Sequence, residues 1–497
     1  MGISFFPRGG SAQVVRYLAR ALPPVGWQPR IFTGSLGPPG APGNARGFYG
    51  DLDLVTVDFT DASEAARTGG DPMAAAVPVH PSFEDREGAP DLQMTALDDR
   101  QAERQVDLWA RTFLAGGARE CDVVHLHHLS AQHEAAARAM PGRPVVAHLH
   151  GTELKMIDGI RRRRELLDRH GTSFEAMATG SHDFEALSDD EHHLIESTRW
   201  PAWRHSDAWN RRLVDWAHRA SHVICISDHD RREAVRLLGL HATGISVIAN
   251  GVDTARFDEQ RLSPATRHRL WRRWLIDEPL GWDVSGKPGS RRCTRSEFET
   301  FFPTPGSGRH GPPVMLFVGR YLSFKRVPLL VAAYARARSL DASFRSPLVL
   351  WGGNPGEWEG EHPAETVDRL GIDGVFFVGW RDHGQLPTGI CCADVMVAPS
   401  FNEPFGQVYL EAMACGRPVI ATRTGGPVSF VNTVPGEPNG WLVPADDTEA
   451  LASALIEAAA DNDERERRAH NAYHQIRHGY AWSGIAHRFA ELYEALL

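Results

Sequence analysis

At 497 residues the chain is too long for a single hydrophobic core, and its length predicts two domains of roughly 200 to 250 residues each. A hydrophobic content of 42% with 23% charged residues is ordinary for a globular enzyme. The net charge of −10 at pH 7 gives no support for a nucleic-acid partner, and no apolar run approaches the ~20 residues that cross a bilayer.

The N-terminus and the cysteines favour a cytoplasmic protein. A secretory signal would need a long apolar stretch where Gly9 and Gly10 stand, so we predict no export signal. The six cysteines include no C-x-x-C pair, and in a chain of this size we expect them to be reduced and buried.

Short apolar segments alternate with helical patterns through the first half of the chain. The predicted strands are residues 29–33, 54–59, 122–126, 144–148, 222–227 and 245–249, with a first strand reduced to residues 2–6. The predicted helices are residues 12–22, 101–116 and 229–238. This alternation predicts parallel strands joined by crossover helices, which is a doubly wound α/β domain.

The second half repeats the same alternation. Its predicted strands are residues 313–318, 347–351, 375–378, 395–398, 418–421 and 440–443. Its predicted helices are residues 327–339, 363–370, 407–414 and 448–460. Two α/β halves in one chain predict ligand binding at the carboxyl ends of the strands, in a cleft between the domains.

Several segments interrupt this rhythm. Residues 34–50 and 61–91 are rich in Gly, Pro and Ala and are predicted to be long loops, which we expect to shape an acceptor pocket together with residues 152–204. Residues 258–312 contain three tryptophans and many arginines and predict an insertion with one or two helices.

Arg161 to Arg164 form a run of four arginines in a helical context. The run is more typical of a solvated helix face, but a docking patch for an anionic acceptor or a lipid surface is the alternative.

The most informative segment follows the strand at residues 395–398. Pro404 and Gly406 favour a turn, after which a helix would begin at Gln407. The start of a helix offers unpaired N–H groups and a positive dipole end to a phosphate group. Glu403 in the turn and Glu411 on the helix could then accept hydrogen bonds from sugar and ribose hydroxyls. The plainer alternative is a helix cap followed by an exposed acid.

This segment, with the E-x7-E spacing of Glu403 and Glu411, closely resembles the donor site of glycosyltransferase family 4, retaining enzymes of the GT-B fold. The resemblance implies two Rossmann-like doubly wound domains that face each other across a cleft. It places an acceptor domain at residues 1–252 and a donor domain at residues 253–480, with a C-terminal helix at 481–497 crossing back to the first domain.

The resemblance also implies roles for individual residues. Arg320 and Lys325, after the strand that ends near Gly319, would bind the donor phosphates. Trp380 belongs to the segment at residues 378–380, which resembles the one that cradles the base through backbone groups, and is a candidate donor-binding residue. Further donor-binding residues implied by the resemblance are Gly319, Pro404, Phe405, Gly406 and Gln407. The 424–426 turn resembles a loop near the donor sugar.

In the first half, Gly9 and Gly10 resemble the family's glycine loop near the diphosphate, and His150 matches a histidine that contacts the donor sugar. Arg326 stands where the family often has glycine. His125, His127 and His128 look like metal ligands, but we found no third ligand on their strand face and predict a polar cleft wall. The D-x-D string at residues 51–53 precedes an N-terminal strand, so it is read as chance and no catalytic metal or other cofactor is expected.

The predicted function is retaining transfer of a sugar from a UDP- or GDP-type donor to a hydroxyl of a small-molecule, glycan or lipid-linked acceptor. Glu403, Arg320, Lys325 and His150 are the candidate catalytic residues. The alternatives are a nucleotide-sugar epimerase or hydrolase on the same scaffold, and a donor-binding subunit without catalysis. The sequence leaves the sugar, the nucleotide, the acceptor and the oligomeric state open.

Overall fold

The structure is a computed structural model, and it describes residues 1–7, 9–41, 43–85, 91–180, 184, 187–306 and 311–497. The chain divides into two compact units. The first comprises Met1–Ala249 and Ile485–Leu497, and the second comprises Asn250–Gly484. Parts of the predicted segments 61–91, 152–204 and 258–312 lie outside the described residues.

A parallel sheet forms the centre of the first unit. Its strands, in chain order, are β1 (Gly2–Ile3), β2 (Ile31–Ser35), β3 (Leu54–Asp58), β4 (Val124–His127), β5 (Val145–Leu149), β6 (His222–Cys225) and β7 (Ile245–Val247). They are arranged in the order β3-β2-β1-β4-β5-β6-β7. The order reverses between β1 and β4, which makes this pair the topological switch point of the sheet.

Ten helices precede the second unit among the described residues. They are α1 (Gly9–Ala21), α2 (Ala45–Tyr49), α3 (Thr60–Arg67), α4 (Asp99–Ala115), α5 (Gln132–Ala139), α6 (Thr152–Arg169), α7 (Phe174–Thr179), α8 (Asp189–Glu196), α9 (Ser206–Arg219) and α10 (Asp228–Leu238). A two-residue strand such as β1 stays in the middle of the sheet because it pairs with β2 on one side and β4 on the other.

The second unit is built on a parallel sheet of its own. Its strands are β8 (Met315–Gly319), β9 (Leu348–Gly352), β10 (Val375–Gly379), β11 (Val395–Ala398), β12 (Val419–Thr422) and β13 (Gly440–Val443). They lie in the order β10-β9-β8-β11-β12-β13, so the switch point falls between β8 and β11.

The remaining helices follow along the chain. They are α11 (Pro264–Arg272), α12 (Arg295–Phe301), α13 (Val327–Leu340), α14 (Pro363–Leu370), α15 (Leu386–Cys392), α16 (Gln407–Ala414), α17 (Thr448–Ala460), α18 (Asn462–Gly479) and α19 (Trp482–Ala495). From Ile485 onwards α19 belongs to the first unit. In the part of the chain that is described, no helix combines the length and the apolarity needed to cross a membrane.

The predicted insertion contributes to the core of the second unit. The indole N–H of Trp271 donates to the carbonyl of Cys392 at 3.2 Å, and that of Trp282 donates to the carbonyl of Gly353 at 3.0 Å. Both tryptophans are fully buried. The segment therefore packs against β9, α15 and their flanking turns as part of the unit.

Three segments predicted as loops contain helices. Residues 34–50 include α2, residues 61–91 include most of α3, and residues 152–204 include α6, α7 and α8. The loop prediction was therefore wrong for most of residues 152–204, whereas most of the described residues in 34–50 and 61–91 lie outside helices and strands. Side chains cap several of these helices: Asn44 accepts from the backbone N–H of Gly47, and Ser188 accepts from that of Glu191.

Candidate functional site

The switch point of the second unit brings three connecting segments to one edge of the sheet. Arg320 follows β8, residues 399–406 follow β11, and residues 423–426 follow β12. Because all of these strands are parallel and neighbouring, their carboxyl ends lie at the same edge. The sheet therefore gathers most of the candidate donor-binding residues of the second unit at the place where ligands of such sheets bind.

A buried ion pair joins two of these segments. Lys325 ends a short 3-10 turn at Ser323–Lys325, and its Nζ donates to Oε2 of Glu403 at 2.5 Å. The two side chains are only 15% and 9% exposed. The backbone N–H of Phe401 also donates to the carbonyl of Phe324 at 2.7 Å, so backbone and side-chain contacts both hold the turn against the Glu403 segment.

Arg320 precedes Lys325 in the same connecting segment but takes no part in the ion pair. Its side chain is partly buried, and it forms no hydrogen bond or ion pair with any residue that the structure describes. A guanidinium at a switch point with all its donors available is suited to bind a phosphate in a bidentate manner.

Arg326 occupies a backbone conformation that favours glycine, with a φ of 53°. Its guanidinium forms two hydrogen bonds with the carboxylate of Asp446, at 2.7 and 3.1 Å. The positive charge of Arg326 is therefore paired with Asp446.

The turn that carries Glu403 leads directly into α16. Gly406 stands before the first residue of the helix with a φ of 90°, and no side chain caps the helix start. Phe405 is buried and its ring packs against Phe430, with the ring centroids 5.5 Å apart. The amide of Gln407 donates to the carbonyl of Gly251 at 2.7 Å. Phe405 and Gln407 thus fix the turn within the second unit, while the backbone N–H groups at the helix start have no side-chain cap.

The loop after β12 packs closely on the same turn. The N–H of Gly426 donates to the carbonyl of Glu403 at 2.7 Å, and Thr424 accepts from the N–H of Asn402 at 3.3 Å. A Cβ on Gly425, whose φ is 71°, would overlap the backbone of Glu403. The glycine pair is therefore required for the close approach of two backbone segments, in addition to any contact with a ligand.

Glu411 is buried on α16, one turn beyond its first residues. Burial raises the pKa of its carboxyl to about 8, and the positive charge of Arg256 opposes that shift. Nε2 of His383 lies 3.8 Å from the carboxylate. The free protein therefore holds this carboxyl largely protonated at neutral pH, which was not evident from the sequence.

Two further candidate residues end neighbouring strands. Gly319 is the last residue of β8, and its carbonyl accepts from the N–H of Gly353 at 2.9 Å. Trp380 follows β10 and is 48% exposed. An indole of this size that stays half exposed at a strand end offers a flat apolar surface to a ligand.

In the first unit, Gly9 and Gly10 form the start of α1, immediately after the switch-point strand β1. Both are exposed, and a Cβ on either glycine would meet no atom within 4 Å. The backbone at this helix start is therefore open to a ligand, as the prediction requires.

His150 follows β5, and a buried carboxylate fixes its backbone. Oε1 of Glu153 accepts from the N–H of His150 at 3.1 Å, while Oε2 lies 3.3 Å from Nδ1 of His128. Burial and neighbouring histidines hold the pKa of His150 well below its ordinary value. Its ring is neutral at neutral pH, so it could act on a donor sugar as a hydrogen-bonding dipole. Contact with the donor sugar remains a prediction for His150.

The histidines of β4 do not form the polar cleft wall that we predicted. His125 and His127 are buried, and a third histidine, His148, lies next to them on β5. The aromatic rings of Phe489 and Tyr493 in α19 pack against this group. The sequence did not reveal the third member because strand pairing, rather than spacing along the chain, brings it close.

The four arginines at residues 161–164 do not share one free surface. Arg161 donates to the carbonyls of Arg236 and Leu237, and Arg164 binds the carboxylates of Asp168 and Asp207. The guanidinium of Arg163 stacks 3.9 Å from the ring of Trp203. Arg162 is the member of the run that is left exposed.

Comparison with known proteins assigns the chain to a family. The model described as Glycosyltransferase Family 4 matches residues 8–256, and the model described as Glycosyl transferases group 1 matches residues 312–461. The chain belongs to glycosyltransferase family 4. The predicted family and the two Rossmann-like α/β domains are thereby confirmed.

Two relatives of this family 4 protein are named D-inositol 3-phosphate glycosyltransferases. That of Corynebacterium urealyticum is 32% identical over 61% of this chain and 71% of its own length. The second such glycosyltransferase of Catenulispora acidiphila is 30% identical over 57% of each chain, so only a little over half of that relative is matched. The Anabaena protein HepE, solved with UDP and glucose, has a TM-score of 0.58 at 18% identity, covering 99% of this chain and 98% of its own.

Proposed function

We propose that this family 4 protein transfers a sugar from a UDP- or GDP-type nucleotide sugar to an acceptor hydroxyl, with retention of configuration. The observation that carries the proposal is the arrangement at the β8/β11 switch point. There Arg320 has all its donors available among the described residues, and Lys325 is held on Glu403 next to an uncapped helix start. The UDP bound to HepE supports a nucleoside diphosphate as the ligand.

The chemistry of the proposal follows from where charge develops. Breaking the bond between the sugar and the diphosphate leaves negative charge on the departing phosphate oxygens, and fixed donors that face this charge lower the barrier. Arg320, Lys325 and the N–H groups after Gly406 supply such donors. We propose that these groups do the work for which other transferases use a metal ion, so added Mg²⁺ or Mn²⁺ should leave the rate unchanged.

The ion pair between Lys325 and Glu403 gives both residues a role in the donor complex. A lysine ammonium has three N–H donors, so Lys325 can keep its bond to Glu403 and still donate to a phosphate oxygen. We infer that Glu403 also accepts a hydrogen bond from a sugar hydroxyl, since a carboxylate accepts several hydrogen bonds at once. Glu411 would hold the ribose hydroxyls, and its carboxyl can accept a hydrogen bond in either protonation state.

The acceptor is proposed only as a class. The relatives are named for an inositol phosphate acceptor, so inositol 3-phosphate is the first compound to test. A glycan or lipid-linked hydroxyl is the other possibility. A panel of nucleotide sugars, assayed by nucleotide release with a pool of acceptors, identifies the donor; single acceptors then follow with the preferred donor.

Replacement of Arg320 tests the proposal. Arg320→Ala should lower kcat/KM by about two to three orders of magnitude, the effect of removing one donor that stabilises developing charge. Its thermal unfolding should be unchanged because Arg320 has no partner among the described residues. Arg261→Ala, at an exposed arginine of the same unit, is the matched control and should be silent in both measurements.

The same assays separate the alternatives. Near-normal turnover of Arg320→Ala would refute the phosphate role. Rapid formation of an epimer or free sugar from the donor alone would favour an epimerase or hydrolase. Donor binding without turnover for any acceptor in the pool would indicate a non-catalytic subunit.

A further inference from the structure

Four histidines share one face of two paired strands in the first unit. His125 and His127 are two residues apart on β4, so their side chains point to the same side of the sheet. His127 is the register partner of His148 on β5, which puts His148 on that side as well, and His150 follows two residues later. The parallel pairing of H-x-H segments thus concentrates imidazole groups that are far apart in the sequence.

Three of these rings are arranged as a set of metal ligands. One ring nitrogen each from His125, His127 and His148 can be chosen so that all three lie within 4.8 Å of one another. Nε2 of His125 and Nδ1 of His148 are 3.2 Å apart. Two nitrogens that each lie ~2.0–2.1 Å from one tetrahedral ion are separated by ~3.4 Å, so this pair is already at the spacing that zinc requires.

We propose that His125, His127 and His148 bind a zinc ion inside the first unit. Three imidazoles are an established ligand set for zinc, and imidazole nitrogen suits zinc better than the oxygen-preferring ions Mg²⁺ and Ca²⁺. All three residues are buried: the exposed fraction is 2% for His125, 0% for His127 and 1% for His148. The set is therefore built into the core and is unlike a chance cluster on a surface.

Unsatisfied nitrogens within the cluster point to a ligand. Nε2 of His127 and Nε2 of His148 are buried and have no hydrogen-bond partner among the residues that the structure describes. Leaving a buried polar atom without a partner is costly, so most buried polar atoms in folded proteins have one. A metal ion bound to Nε2 of His127 would accept the lone pair of that nitrogen and remove the cost, while His148 would bind the ion through Nδ1, the nitrogen that faces His125.

Two of the proposed ligands form a hydrogen bond through their second ring nitrogen. Nδ1 of His125 is hydrogen-bonded to the hydroxyl of Tyr493 at 2.5 Å, and Nδ1 of His127 is hydrogen-bonded to Nε2 of His150 at 3.0 Å. Metal-binding histidines usually use their second ring nitrogen in this way, which fixes the tautomer and the ring orientation. Tyr493 lies on the part of α19 that belongs to the first unit.

The ion would connect separate elements of the first unit. The three ligands join β4 to β5, and the hydrogen bond of His125 to Tyr493 extends the connection to α19. The ion would also hold His127 against His150. The proposal does not depend on glycosyl transfer, because it concerns only binding within the first unit.

The first experiment measures zinc bound to the full-length protein. Protein made without a histidine tag, in medium supplemented with zinc, is dialysed and analysed by inductively coupled plasma mass spectrometry. One zinc per chain is expected. His127→Gln and His148→Gln should each lower this content to the background level, because each removes one of the three ligands.

Two controls make the zinc content specific. His470, His474 and His478 lie four residues apart along the exposed side of α18, and such a row also attracts transition metals. All measurements are therefore made in a His474→Gln background. His133→Gln, at a buried histidine that contacts Ser130 and lies outside the three-ligand set, is the matched control and should keep the zinc.

A measurement on the unaltered cluster keeps the proposal testable if the histidine variants do not fold. X-ray absorption spectroscopy of the zinc-loaded His474→Gln protein should show three imidazole nitrogens at ~2.0–2.1 Å. Dialysis against a chelator should also lower its thermal midpoint, with recovery on adding zinc. No zinc after loading, or a spectrum without imidazole ligands, would overturn the proposal and leave a hydrogen-bonded cluster of neutral rings.

Discussion

Glu411 illustrates how a single buried carboxyl couples stability to pH. The pKa of its carboxyl rises to about 8 in the folded protein, chiefly through burial, against an ordinary value of 4.5. The folded state therefore keeps a proton that the unfolded state loses between about pH 4.5 and 8. By linkage, the contribution of this group to stability is full at low pH and is lost as the pH rises through that range.

Replacing this carboxyl should remove the coupling. We expect Glu411→Gln to be as stable as the wild type near pH 5 and more stable at pH 8, by an amount on the order of 4 kcal/mol at most. Urea titrations at a series of pH values measure the difference, with the exposed Glu437→Gln as control. Parallel stability curves for wild type and Glu411→Gln would contradict the raised pKa.

For individual residues, the sequence predicted which side chains belong to the candidate site, but it did not predict which of them contact each other. The E-x7-E spacing and the segment after β8 singled out Glu403, Glu411, Arg320 and Lys325. That Lys325 binds Glu403 depends on how β8 lies next to β11, a contact between residues 78 positions apart. Glu153, which fixes the backbone of His150, was missed because a glutamate near a helix start is usually a solvated cap.

Among the elements, the loop after β12 and the turn before α16 hold each other in place. Each contributes backbone atoms to the other, and the contact leaves no room for a side chain at Gly425. The position of Glu403 therefore depends on a residue that need not touch any ligand.

A substitution in that loop should act on donor binding through Glu403. We expect Gly425→Ala to weaken UDP binding at least tenfold and to lower the free energy of unfolding by a few kcal/mol, because the new Cβ overlaps the Glu403 backbone. Isothermal titration calorimetry and urea titration measure the two effects. Gly436→Ala has the same backbone strain, with a φ of 104°, but no neighbour within 4 Å. It should cost about 1 kcal/mol and leave UDP binding unchanged; equal effects of the two substitutions would disprove the mechanism.

Regular elements with strong periodicity were predictable to within a few residues. The bounds of α14, α16, α17 and β13 agree with the prediction, since each is flanked by turn residues and carries a clear pattern. The short helices α2, α3, α7 and α8 were missed because a helix of five to eight residues rests on caps and tertiary packing more than on periodicity. The histidine cluster required strand register, which a single sequence does not encode locally.

On the scale of the whole molecule, the last segment of the chain completes the core of the first unit. Phe489 is buried, and its ring lies 5.4 Å from His125 and 5.6 Å from His148. The stability of the first unit should therefore depend on residues at the far end of the sequence.

This dependence can be measured separately for each unit. We expect Phe489→Ala to destabilise the first unit by about 3 to 5 kcal/mol, the usual cost of removing a buried phenylalanine ring. Amide hydrogen exchange, followed by mass spectrometry of peptides, should show faster exchange in β4 and β5 and little change in β11 and β12. Glu491→Ala, exposed on the same helix, is the control. Faster exchange of equal size in both units would show that they do not unfold independently.

The chain leaves the first unit after Ala249 and returns to it at Ile485. During synthesis the ribosome must therefore finish the entire second unit before it supplies the segment that closes the first. Domains generally fold in the order in which they are made; here the one begun first is the last to be completed. Until residues 485–497 have left the ribosome, the nascent protein would carry an unfinished first unit, and that interval is when chaperones would have the most apolar surface to recognise.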